Sequence, residues 1–255
     1  MPNLSFFRKE LKLKADPKRA EGSGRFFKTG KGEYAEGDVF LGLTSAQIKE
    51  VAYKHKDLSL KEIQELLKSK IHEERVAALR ILVHQFQSFG VLSQQNRENK
   101  EVWMGRKKIF NFYLKNTKYV NNWDLVDLSA PKIVGEYLAA QLKNSNTKTR
   151  QILYKLARSK NLWERRIAIV STYAFIRQNK FEDTFKIAKM LLNDKHDLIH
   201  KAVGWMLREA GKCSQPALEK FLKAHYKNMP RTMLRYAIEK FPEKKRKMYL
   251  LWKTC

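Results

Sequence analysis

Trp123, Asp124 and Asp127 stand together in the stretch NNWDLVDLSAP, in a chain of 255 residues with 52 Lys and Arg against 26 Asp and Glu. The formal net charge is +26. Residues four apart share a helix face, so the Trp123 indole and the Asp127 carboxylate are expected side by side. An acid on a surface that attracts anions needs a reason. Taken alone, WxxxD is better read as a core indole beside a helix-surface carboxylate. Asp124, in the first turn after a cap at Asn121 or Asn122, suits the helix dipole.

Two further segments change the balance. In NLWERRIAI, Trp163 and Arg166 are three apart on one face, and a guanidinium there could grip a phosphate in a fork. In HKAVGWMLREAGK, Gly204 precedes Trp205, and Arg208 lies on the same face as the indole. A glycine costs about 1 kcal/mol of helix propensity, which is repaid if another backbone, of protein or of DNA, approaches closely. Each segment alone reads equally as core packing. Together they supply aromatics and arginines suited to a nucleic-acid strand, with one carboxylate that phosphate would repel. A carboxylate in that setting fits chemistry in which positive charge develops on a sugar, and it could also orient the attacking water.

Other chemistry finds little support. His196 and His200 have a spacing of four but no Glu between them and no evident third ligand, so no metal is expected. The glycines of GSGRFFKTGKGEYAEG lack the P-loop signature, so no nucleotide cofactor is expected. Cys213 and Cys255 form no CxxC pair. No apolar run is long enough for a membrane span and the N-terminus lacks a signal core, which leads to the expectation of a soluble intracellular protein. It is expected to be a cytoplasmic monomer, nucleoid-associated in a prokaryote. The charge excess makes nucleic acid the expected partner.

The elements that must carry these residues read as helices throughout. From residue 44 onward apolar residues recur at helical spacing, with Thr44 or Ser45 as one cap and Ser59 with Glu62 as a capping box. Three tryptophans, Trp123, Trp163 and Trp205, follow one another at 40 and 42 residues. That period predicts an all-α superhelical solenoid of HEAT-like helix pairs whose equivalent helices line a basic concave face. One domain over 1–255 is expected, with a basic segment at about 1–24, a core at about 25–243 and a basic tail at 244–255. The head FFRKELKLKADPKR and the tail PEKKRKMYLLWK are read as solvated or DNA-facing charge.

The blocks FFKTGKGEYAEGDVFLGL, HEERVAALRILVHQF, WDLVD, WERRIAIVSTYAFIR, KAVGWMLREAGK and MPRTMLRYAIEKF, in this order, resemble the AlkD-like DNA alkylation repair glycosylases. The resemblance implies a solenoid that cups duplex DNA. It implies a monofunctional glycosylase that excises cationic N3- and N7-alkylated purines, such as 3-methyladenine and 7-methylguanine, in base excision repair without flipping the base and without a metal or cofactor. Carried over by position, it makes Asp127 the carboxylate that stabilises the sugar cation and places water. Trp123 and Trp205 become the aromatics against the deoxyribose and backbone, Arg166 a phosphate ligand and Arg208 a second one; Trp163 is expected to contact DNA from its place on the same face as Arg166. After DVFLG the chain departs from the family's turn and reads LTSAQIKEVA. A non-catalytic HEAT-repeat protein that recognises damaged, bent or branched DNA is the alternative.

Overall fold

The computed structural model describes residues 4–95, 100–141 and 147–251. The chain divides into two compact units, Met1–Ser129 and Ala130–Cys255. Among the described residues every regular element is helical, and the helices pack in the repeat-like series of pairs expected of a HEAT-like fold. No helix among them is long and apolar enough to cross a membrane.

The first unit opens with α1 (Leu4–Leu13) and α2 (Pro17–Phe26). Asp16 caps α2 and Pro17 occupies its first turn, where the missing N–H costs nothing. The head is therefore not merely solvated charge. Phe7 and Leu11, four apart, are fully buried, with α1 packed on α3 (Ser45–Lys54) and the Phe7 ring edge-on to His55. Arg8 pairs with Glu74, and Glu10 bonds His55 at 2.7 Å.

Thr44 caps α3 in a reciprocal box with Gln47, and Ser59 does the same for α4 (Leu60–Leu67) with Glu62. Both helices lay their apolar faces on α5 (His72–Gln95), which also packs on α6 (Lys100–Lys115). A 3-10 turn at Thr117–Tyr119 then leads into α7 (Trp123–Ala130).

In the second unit, a wide turn of helix at Pro131–Gly135 and α8 (Glu136–Ala140) precede α9 (Thr147–Ala157). There follow α10 (Leu162–Ser171), α11 (Tyr173–Ile176), α12 (Glu182–Met190), α13 (Asp197–Cys213), α14 (Gln215–His225), α15 (Arg231–Ala237) and α16 (Glu243–Leu250). Helix α9 packs on α10, α12 on α13, and α13 in turn on α10, α14 and α15. Gly204 marks the close approach of α13 and α15. A Cβ there would lie 2.5 Å from the Tyr236 Cβ and 2.6 Å from the Met233 carbonyl oxygen. The backbone that needs the bare position is thus the protein's own, on α15.

In the tail, α16 buries no side chain fully, while its Tyr249 ring meets Tyr226 and Phe241 and Lys245 pairs with Glu219. Trp252 and Lys253 lie outside the described residues.

Candidate functional site

Helix α7 starts where the fully buried Asn122 accepts the Trp123 N–H at 2.8 Å. Leu125, Val126, Ser129 and Ala130 are fully buried, which leaves Trp123, Asp124 and Asp127 half-exposed along its outer side. From within, Tyr113 bonds Ser129 at 3.0 Å, and Ser129 donates to the Leu125 carbonyl at 2.6 Å. Burial raises the Tyr113 pKa and the nearby Asp127 charge adds to the rise, so this phenol stays neutral.

The Trp123 indole is the end of an aromatic stack. Phe27 lies flat on it with ring centres 5.4 Å apart, and Phe40 lies flat on Phe27 at 5.1 Å. His72 stacks on Phe40 at 4.7 Å and tilts against Phe27 at 4.9 Å. Phe26, 65% exposed, meets the indole edge-on at 5.9 Å. Offset and edge-on pairs of this kind add about 0.5–1.5 kcal/mol each beyond the area they bury. The face of Trp123 is thereby fixed before any ligand arrives.

A polar network lies behind the stack. His72, the first residue of α5, presents Nε2 to Asp124 at 2.7 Å and Nδ1 to Asp38 at 3.3 Å. Arg75, one turn on, donates to Asp38 and to the Ser69 carbonyl. Burial disfavours a charged imidazole at His72, but the two carboxylates outweigh it and hold its pKa above the ordinary 6.5. Burial likewise pushes Asp38 up, and the hydrogen bonds from His72 and Arg75 bring it below the usual carboxylate range. Asp124 is therefore a structural partner of His72 and not simply a dipole acid in the first turn of α7.

That network predicts a pH dependence. A group with a raised folded pKa gives its full stabilisation below its unfolded pKa and loses it as pH rises through the folded value. Thermal stability should accordingly fall as pH climbs above 6.5, and His72→Gln should flatten that part of the profile. Melting curves across neutral and mildly alkaline pH check this; an unchanged profile in the variant overturns it.

The segment bearing Phe40 and Asp38 is pinned by backbone and by one acid. Val39 and Ile71 form an isolated parallel bridge, with Val39 N–H on the Lys70 carbonyl and His72 N–H on the Val39 carbonyl. The buried Glu73 carboxylate accepts the N–H groups of Leu41 at 3.0 Å, Gly42 at 2.8 Å and Leu43 at 3.3 Å. Gly42 has φ +83°, and a Cβ there would fall 2.1 Å from the Asp16 carbonyl oxygen, so no other residue fits.

In the second unit Trp163 and Arg166 lie on α10 and are both buried, at 7% and 5% exposure. The Arg166 guanidinium donates to the Leu198 carbonyl, and the neighbouring Arg165 pairs with Asp194 at 2.6 Å. Trp205 on α13 is half-exposed, with the Tyr173 ring 6.5 Å away. Arg208, on the same helix, pairs with Glu209 and Glu239. Thus Trp205 and Arg208 face outward, whereas Trp163 and Arg166 sit within the packing that positions α13.

The histidine pair of the sequence is spent on structure. His196 caps α13 by accepting the Leu198 N–H through Nδ1, which requires a neutral ring; burial lowers its pKa accordingly. His200 bonds the Asp194 carbonyl. Phe26, Phe27, Asp38, Phe40, His72 and Glu73 were not singled out from sequence, although the FF pair and the HEER run both lay in view. Nothing local signals that residues so far apart share one cluster.

A family model for DNA alkylation repair enzymes matches residues 7–241, from within α1 to just past α15. Among solved structures, one described as a predicted DNA alkylation repair enzyme from Enterococcus faecalis is similar at 16% identity and a TM-score of 0.65. The likeness covers 90% of this chain and 98% of that one, and at this identity it speaks for the fold. No curated protein matches the chain significantly. On a match that takes in nearly all of its described helices, the chain belongs to the family of DNA alkylation repair enzymes.

Proposed function

We propose that this protein is a monofunctional DNA glycosylase that removes cationic N3- and N7-alkylated purines from duplex DNA. The observation that carries the reading is the half-exposed pair Trp123 and Asp127, one turn apart on α7, with the indole braced by Phe27 and Phe40. An alkylated purine such as 7-methylguanine already bears a positive charge, so its departure needs no proton from a general acid. The C1′–N9 bond breaks, its electron pair neutralises the purine, and positive charge passes to the sugar. Asp127 stabilises that charge and orients the water whose oxygen bonds C1′, and the water's proton leaves to solvent.

Trp123 supplies a rigid wall for the sugar; on α13, the half-exposed Trp205 is proposed as an aromatic contact for the DNA backbone. Arg208 supplies a cation for phosphate once DNA competes with Glu209 and Glu239. Arg166 serves from within α10 by holding the start of α13 through the Leu198 carbonyl, with Trp163 buried one turn before it on the same helix. The proposed substrate is held with the base outside any deep pocket, so the backbone and sugar carry the recognition.

The test is release of free base from duplex DNA containing 7-methylguanine. Release without added metal or cofactor is the expected result. Tight, salt-sensitive binding without release would instead favour a non-catalytic protein that senses damaged, bent or branched DNA.

A further inference from the structure

Helices α15 and α16 enclose a pocket of about 540 Å³ whose walls include Arg231, Thr232, Arg235, Tyr236, Glu239 and Arg246. Three guanidinium groups share this space. All three are exposed, and no carboxylate among the described residues pairs with any of them. The acids nearby are already engaged: Glu239 pairs with Arg208 and Lys240, and Asp197, which Thr232 bonds, pairs with Lys201. Elsewhere in this unit arginines find acids, as Arg150 does with Asp183 and Arg165 with Asp194.

Three unpaired forks converging on one concavity repel one another and suit a planar or tetrahedral oxyanion. The space is far larger than a lone phosphate requires. Tyr236 adds an aromatic ring, 36% exposed, of the kind on which a sugar or base can rest. The pocket also adjoins the outward residues of α13. Tyr236 is seated on Gly204, next in sequence to Trp205, and Glu239 is the acid that Arg208 holds.

We propose that this cleft is a second DNA-binding site, in which Arg231, Arg235 and Arg246 hold a strand phosphate and Tyr236 supports the adjoining sugar or base. It rests on the DNA-binding part of the proposed function and extends it from α13 across α15 and α16. Its role is grip on the strand, separate from the chemistry at Asp127.

The test measures affinity for an undamaged duplex as a function of salt, for the parent and for a variant with Arg231→Ala, Arg235→Ala and Arg246→Ala combined. Every phosphate that the variant no longer neutralises should lower the salt slope by about one. The variant is expected to bind at least about tenfold more weakly at low salt, with a shallower slope and an unchanged melting temperature. Base release from DNA-saturated protein should proceed at the parent rate. Equal slope and affinity in the two proteins would overturn the cleft while leaving the glycosylase reading intact. A parent that does not bind duplex DNA would overturn both. Competition separates the sources of phosphate: a short duplex should displace the probe at far lower phosphate equivalents than inorganic phosphate, and equal potency would overturn the strand assignment.

Discussion

Asp127→Asn is expected to slow release of 7-methylguanine by roughly a thousandfold. The change keeps the size of the side chain and removes its charge. A carboxylate about 4 Å from a sugar cation, at an effective dielectric near 20, contributes about 4 kcal/mol of attraction. At about 1.4 kcal/mol per decade that corresponds to roughly three orders of magnitude in rate. Binding should move the other way: with a negative charge gone from the proposed DNA-binding surface, affinity for duplex stays equal or rises. Single-turnover release and equilibrium binding, measured on the same preparations, check both halves. Release at the parent rate would show that Asp127 is not the group that stabilises the sugar cation.

Glu73→Ala should produce the largest loss of stability. One carboxylate receives three backbone N–H groups, from Leu41, Gly42 and Leu43, in a place where little water can replace it. Each buried donor left without an acceptor costs about 1–3 kcal/mol, and partial relaxation brings the sum to about 3 kcal/mol. For a chain of this size the melting temperature should drop by about 6 to 12 °C. Glu73→Gln, which keeps one acceptor oxygen, should lose less. Activity should suffer in step, since the same segment brings Phe40 and Asp38 to the Trp123 stack. A melt within about 2 °C of the parent would show that the segment is held by the Val39–Ile71 bridge instead.

Much of the architecture was legible because its causes are local. The caps at Thr44 and Ser59 are set by residues three apart, and the helical stripes by period alone. The Trp123 and Asp127 pair needed only the helix repeat to be placed on one side of α7. What sequence missed is non-local. Asp124 was assigned to the helix dipole, but its partner His72 is 52 residues away; Asp38 lies 34 residues on the other side of that imidazole. The head was read from its lysines, although Phe7 and Leu11 had the spacing of a buried face. Trp163 and Arg166 share a helix side as expected, but inside the packing, because side-chain spacing fixes a shared face and not which face meets solvent.

The stack beneath Trp123 has a consequence for how the protein is made. Phe27, Phe40, His72 and Trp123 come from four stretches of chain, and the flat seating of Phe27 on Trp123 closes a loop of nearly a hundred residues. Helices that touch only their sequence neighbours form quickly, whereas long loops delay the pairings that close them. The wall that would face a damaged sugar therefore matures after the helical frame around it. A newly made chain can be fully helical and still lack a finished surface for DNA.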